Sequence, residues 1–171
     1  MRSRIFLKLT GYALLLVVVA TVIIDFSIRR TWENSLRHAI QISLTEKAKL
    51  FADQVQDVRN PDLPNLVSRA ATSADARVTV IETSGKVLAD SEANPQTMEN
   101  HATRPEFKQA LQNLTGSDSR QSHTLGIEFL YVAVPVKNGA VRLAYPLSAI
   151  RTAVAEGRSR LLQASALALL N

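Results

Sequence analysis

Residues 77–111 read RVTVIETSGKVLADSEANPQTMENHATRPEFKQAL, and the fold follows from where this stretch changes its period. RVTVIE (77–82) alternates and is rich in β-branched residues, Thr83-Ser84-Gly85-Lys86 is a turn signal, and VLADS (87–91) returns to a strand pattern, which predicts a β-hairpin. Asn94-Pro95 has the form of an N-cap followed by proline at the first helical position and predicts one turn through Met98. Thr103-Arg104-Pro105-Glu106 has capping-box spacing, while Pro105 disfavours helical geometry at Arg104 and makes Arg104 the competing cap. Phe107, Ala110, Leu111 and Leu114 then recur at the spacing of one helical face. Most of the polarity of residues 90–107 therefore reads as helix-start scaffolding.

The same reading extends in both directions. After a turn at Gly116, SRQSHTL (119–125) and GIEFLYVAVPVK (126–137) read as strands, Asn138-Gly139 is the strongest hairpin signal in the chain, and AVRLAYPL (140–147) is the last strand. Five strands with a helix inserted after the second predict an α+β fold, an antiparallel sheet backed by helices. Upstream, Leu36, Ile40, Leu44, Ala48, Phe51, Val55 and Val58 form one apolar stripe on a long helix over residues 31–58. The stripe suits either a dimer seam or packing on the domain's own sheet. Asn60-Pro61 and Leu63-Pro64 break the helix, and residues 70–75 read as a small-residue linker before the first strand.

Both ends are apolar. Residues 9–28 contain a nearly unbroken apolar stretch, with no polar side-chain atom from Ala13 to Ala20, and match the roughly 20 residues that cross a bilayer core of about 30 Å. A cleaved signal peptide is the competing reading, but no A-x-A site follows; Arg29-Arg30 does. Residues 161–170, LLQASALALL, are too short to span and predict the start of a second membrane helix, from residue 158, in a chain truncated inside it. Basic residues cluster beside the apolar runs, at Arg2/Arg4/Lys8, Arg29/Arg30 and Arg158/Arg160. The net charge of +5 therefore suits membrane flanks and argues against a nucleic-acid face. The chain has no cysteine, which excludes thiol catalysis, disulfides and cysteine-ligated zinc.

The blocks VxxxxGxVLADS, P..MENH..RPEF..AL and LYVAVPV...GAVRLAYPL, within residues 77–147, resemble the extracytoplasmic sensor region of PhoR-like and WalK-like sensor histidine kinases, a PAS-like domain of the single Cache type. The resemblance implies a cytoplasmic tail (1–8), a transmembrane helix (9–28), an extracytoplasmic sensor domain (29–155) and a truncated second span, placed in a bacterial inner membrane. It implies a homodimer in the lipid bilayer that relays a stimulus by helix movement. The ATP-dependent histidine kinase domains of such a two-component phosphorelay, and their response regulator, would lie beyond Asn171. Chemoreceptors, cyclic-dinucleotide enzymes and anchored binding proteins share the architecture and stay open as alternatives.

No catalytic site or cofactor is expected in this chain. His38 is followed by Ala39-Ile40-Gln41 rather than by the acidic residue and proline that follow a phosphoacceptor, and reads as a helix-surface histidine. His101, Glu99, Asp90 and His123 have the donor types of a mixed metal site but no fixed ligand spacing, and no metal is assigned. The glycines form no phosphate-cradling loop. A small-molecule ligand between the sheet and the short helices is the remaining reading. Its candidate contacts are Asn100, His101, Arg104, His123, Tyr131, Arg142 and Tyr145, with Arg104 or Arg142 suited to a carboxylate or phosphate because a guanidinium forks onto two oxygens.

Overall fold

The computed structural model describes residues 2–121 and 126–148. His123 and the second apolar run therefore lie outside the described residues, and with them the expected second membrane helix. The described chain divides into two units, Met1–Arg37 and His38–Asn171.

The first unit is helical, part of helix α1 (Arg2–Val55). From Leu14 to Ile28 its leucines, valines and isoleucines are exposed, with Leu14, Leu16, Val22 and Ile23 each more than 60% so. The hydroxyl of Thr21 donates to the carbonyl of Val17 one turn earlier at 2.8 Å, so the helix satisfies that polar atom within itself. The stretch is long and apolar enough to cross a membrane.

In the second unit the remainder of α1 lays its stripe inward, with Leu44, Ala48, Phe51 and Val55 buried, and Val58 just past it is buried too. Phe51 borders a cavity of about 360 Å³ together with Val78 and Leu143 of the sheet, so packing on the domain's own sheet claims this part of the stripe. The helix ends at Val55 rather than Val58, with Gln56 in the left-handed region at φ 55°. The reason is long-range: the chain past the helix is captured by a turn of the sheet, Val58 N–H donating to Lys137 O (3.2 Å) and Lys137 N–H to Gln56 O (3.0 Å).

The expected linker is instead a helix, α2 (Leu63–Ala74), which buries Leu63, Val67 and Ala74. Pro64 stands in its first turn, where a missing N–H removes no intrahelical bond, so the proline that reads as a breaker is a starter.

The sheet comprises β1 (Arg77–Glu82), β2 (Val87–Asp90), β3 (Gly116–Gln121), β4 (Glu128–Val136) and β5 (Gly139–Pro146), in the order β2-β1-β5-β4-β3 with every pair antiparallel. β3 begins at Gly116, three residues before the expected start. Between β2 and β3 lie a 3₁₀ turn (Pro95–Thr97) and helix α3 (Pro105–Leu111). The β4–β5 hairpin turns on Lys137-Asn138, one residue earlier than the Asn-Gly signal suggests, with Asn138 supplying the positive φ of 64°. Gly139 is already in the strand, and its need is space: a Cβ there would overlap the carbonyl oxygen of Ile81.

Register divides the sheet into two faces. Residues directly opposite one another share a face, which puts Arg77, Thr79, Ile81, Asp90, Ala140, Arg142, Ala144, Tyr131, Ala133, Asp118 and Arg120 on one side. α3 covers this side through an apolar cluster of Ile81, Phe107, Ala110, Ala133 and Ala140. Val78, Val80, Leu130, Val132, Val141, Leu143 and Tyr145 point to the opposite side, where α1 packs.

Candidate functional site

Residues 91–104 are fastened to the first hairpin by side chains that each have a local task. The Asp90 carboxylate accepts from Arg77 Nε (3.0 and 3.1 Å), Thr79 Oγ1 (2.8 Å) and the backbone N–H groups of Glu92 and Ala93 (both 2.9 Å). Asn94 caps the 3₁₀ turn by accepting from Gln96 N–H at 3.0 Å. Asn100 donates to Ser84 O (3.0 Å) and accepts from Ala102 N–H (2.8 Å), and His101 N–H donates to Gly85 O (2.8 Å). Helix-start chemistry thus accounts for Asn94, while Asp90, Asn100 and His101 fasten the segment to the hairpin. The capping box does not form: Arg104 is the N-cap, without a side-chain bond, and Glu106 turns inward.

Beneath this segment the inner face carries a continuous polar network. Glu106, fully buried in the first turn of α3, accepts from both terminal nitrogens of Arg120, Nη1 to Oε2 and Nη2 to Oε1, each at 2.8 Å. Arg120 also donates to Asp118 at 2.7 Å and stacks on Tyr131, its guanidinium carbon 3.8 Å from the ring centre. Arg142, only 3% exposed, places Nη1 3.5 Å from Glu106 Oε1 and donates through Nη2 to Thr79 Oγ1 at 3.2 Å. Its guanidinium carbon lies 5.1 Å from the same Tyr131 ring. Thr79 passes the connection to Asp90 and Arg77. The Nε atoms of Arg142 and Arg104 are buried and have no hydrogen-bond partner among the described residues.

The charges respond to this environment. Burial pulls Arg142 down to about 10, with Glu106 and Tyr131 opposing, so it stays cationic at neutral pH. Burial pushes the Glu106 carboxyl up, but the hydrogen bonds and charge of Arg120, with Arg142 behind them, outweigh it and leave the group below its usual range, ionised. His101 falls to about 4 through burial, then through the nearby Arg142 and Arg104, against the hydrogen bond to Glu99. Because a carbonyl only accepts, His101 Nδ1–H donates to Glu99 O at 2.8 Å, and the neutral ring keeps Nε2 as an acceptor.

The depressed pKa of His101 makes stability depend on pH. Its folded pKa lies below the unfolded value, so the unfolded chain takes up the proton first, and stability present above about pH 6.5 is lost as pH falls toward 4. Between pH 7 and pH 5 the loss should be about 1.5 kcal/mol after allowance for partial solvent screening. His101→Asn should flatten that window in urea melts; an unchanged slope would show that His101 is not the titrating group.

Of the seven expected ligand contacts, the structure brings His101, Arg104, Tyr131 and Arg142 toward one region of the inner face. Asn100 is exposed and holds the hairpin turn. Tyr145 lies on the opposite face and borders a cavity of about 750 Å³ at the end of the sheet, with Arg77, Glu92 and Phe129. Asp90 and Glu99 are engaged by Arg77 and Arg104. Glu106, Arg120, Asp118 and Thr79 do not stand out from sequence as site residues. Two signals are present: Asp118 and Arg120 alternate on one strand, and Glu106 stands four residues before Ala110, on the same side of α3. The arrangement can hold a planar carboxylate between two guanidiniums over an aromatic ring.

No protein-family model and no curated protein matches the chain. Solved structures do. The sensory domain of the Campylobacter jejuni chemoreceptor Tlp3 with isoleucine bound is 16% identical at a TM-score of 0.51, over 70% of this chain and 56% of that one. The E. coli DcuS sensor domain is 14% identical at 0.51, over 68% of this chain and 98% of that one. An extracellular ligand-binding receptor from Desulfohalobium retbaense is 10% identical at 0.53, over 67% of this chain and 24% of that one. The chain thus spans little more than half the length of the chemoreceptor domain. At these identities the likeness concerns the fold alone.

Proposed function

We propose that this chain is the extracytoplasmic sensing and membrane-anchoring part of a signalling receptor, and that the sheet face under residues 91–104 receives a small molecule bearing a carboxylate. One observation carries the ligand reading: Arg142 is buried with its Nε unsatisfied, beside Arg120 and Tyr131, in a fold shared with sensor domains. A buried cation with a vacant donor is costly unless something acidic or polar is meant to meet it. The Tlp3 domain, solved with isoleucine bound, is an instance of this fold holding a ligand that bears a carboxylate. Uncovered apolar side chains over residues 12–28 support an anchor in the bilayer.

The output we favour is a histidine kinase working as a homodimer through a response regulator, on the strength of the sequence blocks within residues 77–147. The chemoreceptor reading is the alternative, favoured by the Tlp3 likeness. Coding sequence downstream of Asn171 separates them: a histidine-bearing helical pair and an ATP-binding domain for the first, a long helical coiled coil for the second. The topology has its own test. Alkaline phosphatase fused after Asn100 should be active in cells and green fluorescent protein fused there dark, since a single span exports the chain on its far side; the reverse pattern removes the sensor reading altogether.

A further inference from the structure

Glu106 holds the position that an external carboxylate would seek. Both of its oxygens are forked by Arg120, a second guanidinium lies 3.5 Å away, and the ring of Tyr131 backs the fork. Nothing about helix formation requires this, because an acid in a first turn normally faces water, and here the side chain is fully buried. Arg142 is meanwhile left short of a partner at Nε.

We propose that Arg120, Arg142 and Tyr131 form a carboxylate-binding pocket whose resident occupant is the chain's own Glu106, and that a ligand's carboxylate binds there by exchange with it. This rests on the sensor reading above and specifies how that site is regulated. Exchange rather than addition follows from charge. Arg77, Arg104, Arg120 and Arg142 are met by Asp90, Glu92, Glu99, Asp118 and Glu106, so these arginines leave no positive charge to spare. A further buried anion would stand uncompensated, whereas a swap leaves the charge count unchanged. Exchange also supplies a mechanical output. Glu106 precedes Phe107 and Ala110 on α3, both fully buried in the inner core, so releasing its carboxylate frees the start of the helix that closes this face.

The test uses the full chain in detergent micelles. Glu106→Ala should melt below wild type in sodium chloride. Sodium formate or acetate at equal ionic strength should raise its melting temperature saturably, by about 2–4 °C, because the small acid fills the vacated fork. Wild type, with the fork occupied, should respond less at the same concentration, and Glu106→Gln, whose amide still fills the space, should not respond. Adding Arg120→Met to Glu106→Ala should abolish the rescue. Equal melting in carboxylate and chloride, a rescue that survives loss of Arg120, or failure of Glu106→Ala to fold in either salt would each overturn the pocket. The sensor reading fails separately: rescue in vitro with a cytoplasmic topology in cells would leave the pocket standing and remove the receptor.

Discussion

Arg120→Met should lower the stability of the sheet unit by about 3 kcal/mol at pH 7, and by clearly less at pH 5. Methionine keeps an unbranched, polarisable chain over the Tyr131 ring, so the change isolates the loss of charge and hydrogen bonds from the loss of volume. What remains is a fully buried Glu106 with Arg142 at 3.5 Å as its nearest cation. Breaking a buried pair from one side costs about 3–5 kcal/mol, and the lower end applies because the Arg120 side chain is 22% exposed and water can reach part of its place.

The sign of the pH dependence is set by Glu106. In wild type its pKa is depressed, so its stabilising contribution is present above the unfolded value near 4.5 and is lost as pH falls through the folded value. In the variant the opposing influence of burial prevails and the folded pKa rises above the unfolded one. Acid then relieves the buried charge, and the variant's deficit narrows as pH falls. Urea melts at the two pH values measure this directly. An equal deficit at both would mean that Glu106 is not the group left behind.

Strands are legible in the sequence because their signal is local. RVTVIE and the residues of β4 and β5 alternate or run apolar with β-branched side chains, and burial on two faces preserves that pattern. Asn138-Gly139 marks the hairpin within one residue, for a partly different reason: Asn138 takes the positive φ, while Gly139 is small because Ile81 O lies against it. α2 escapes a local reading because two prolines and a small-residue tail resemble a linker, and only the burial of Leu63 and Val67 against the fold makes a helix of them. Val58 belongs to the stripe by spacing yet is not helical, since the Lys137 turn that captures it is far along the chain.

The site shows the same division. His101, Arg104, Tyr131 and Arg142 can be chosen by chemical type, but no local pattern says which of them meet. The order β2-β1-β5-β4-β3 sets Thr79 beside Arg142, two residues 63 positions apart. Glu106 reads as a capping residue because its neighbours Thr103 and Pro105 announce a helix start. Its real partner, Arg120, stands on an edge strand that joins α3 only in the folded chain.

Gly85→Ala and Gly85→Val should each destabilise the sheet unit by about 3 kcal/mol or more. Two effects combine. Gly85 has φ 84°, where an L side chain is strained by about 1–2 kcal/mol. A Cβ there would also overlap Asn100 Oδ1 and the backbone N of Ala102, so residues 100–102 must lift away. Lifting them breaks the bonds from His101 N–H to Gly85 O and from Asn100 Nδ2 to Ser84 O, at about 1 kcal/mol each. Gly85→Asn separates the two effects, because asparagine tolerates the left-handed region but still brings a Cβ. If the segment is seated on the turn in this way, the asparagine variant should lose nearly as much as alanine; near-wild-type stability would show that backbone strain alone was at issue. The displacement should also reach past stability. His101 lies within the lifted residues and Arg104 just beyond them, so the alanine variant should lose the drop in stability between pH 7 and pH 5 as His101 meets water and regains an ordinary pKa.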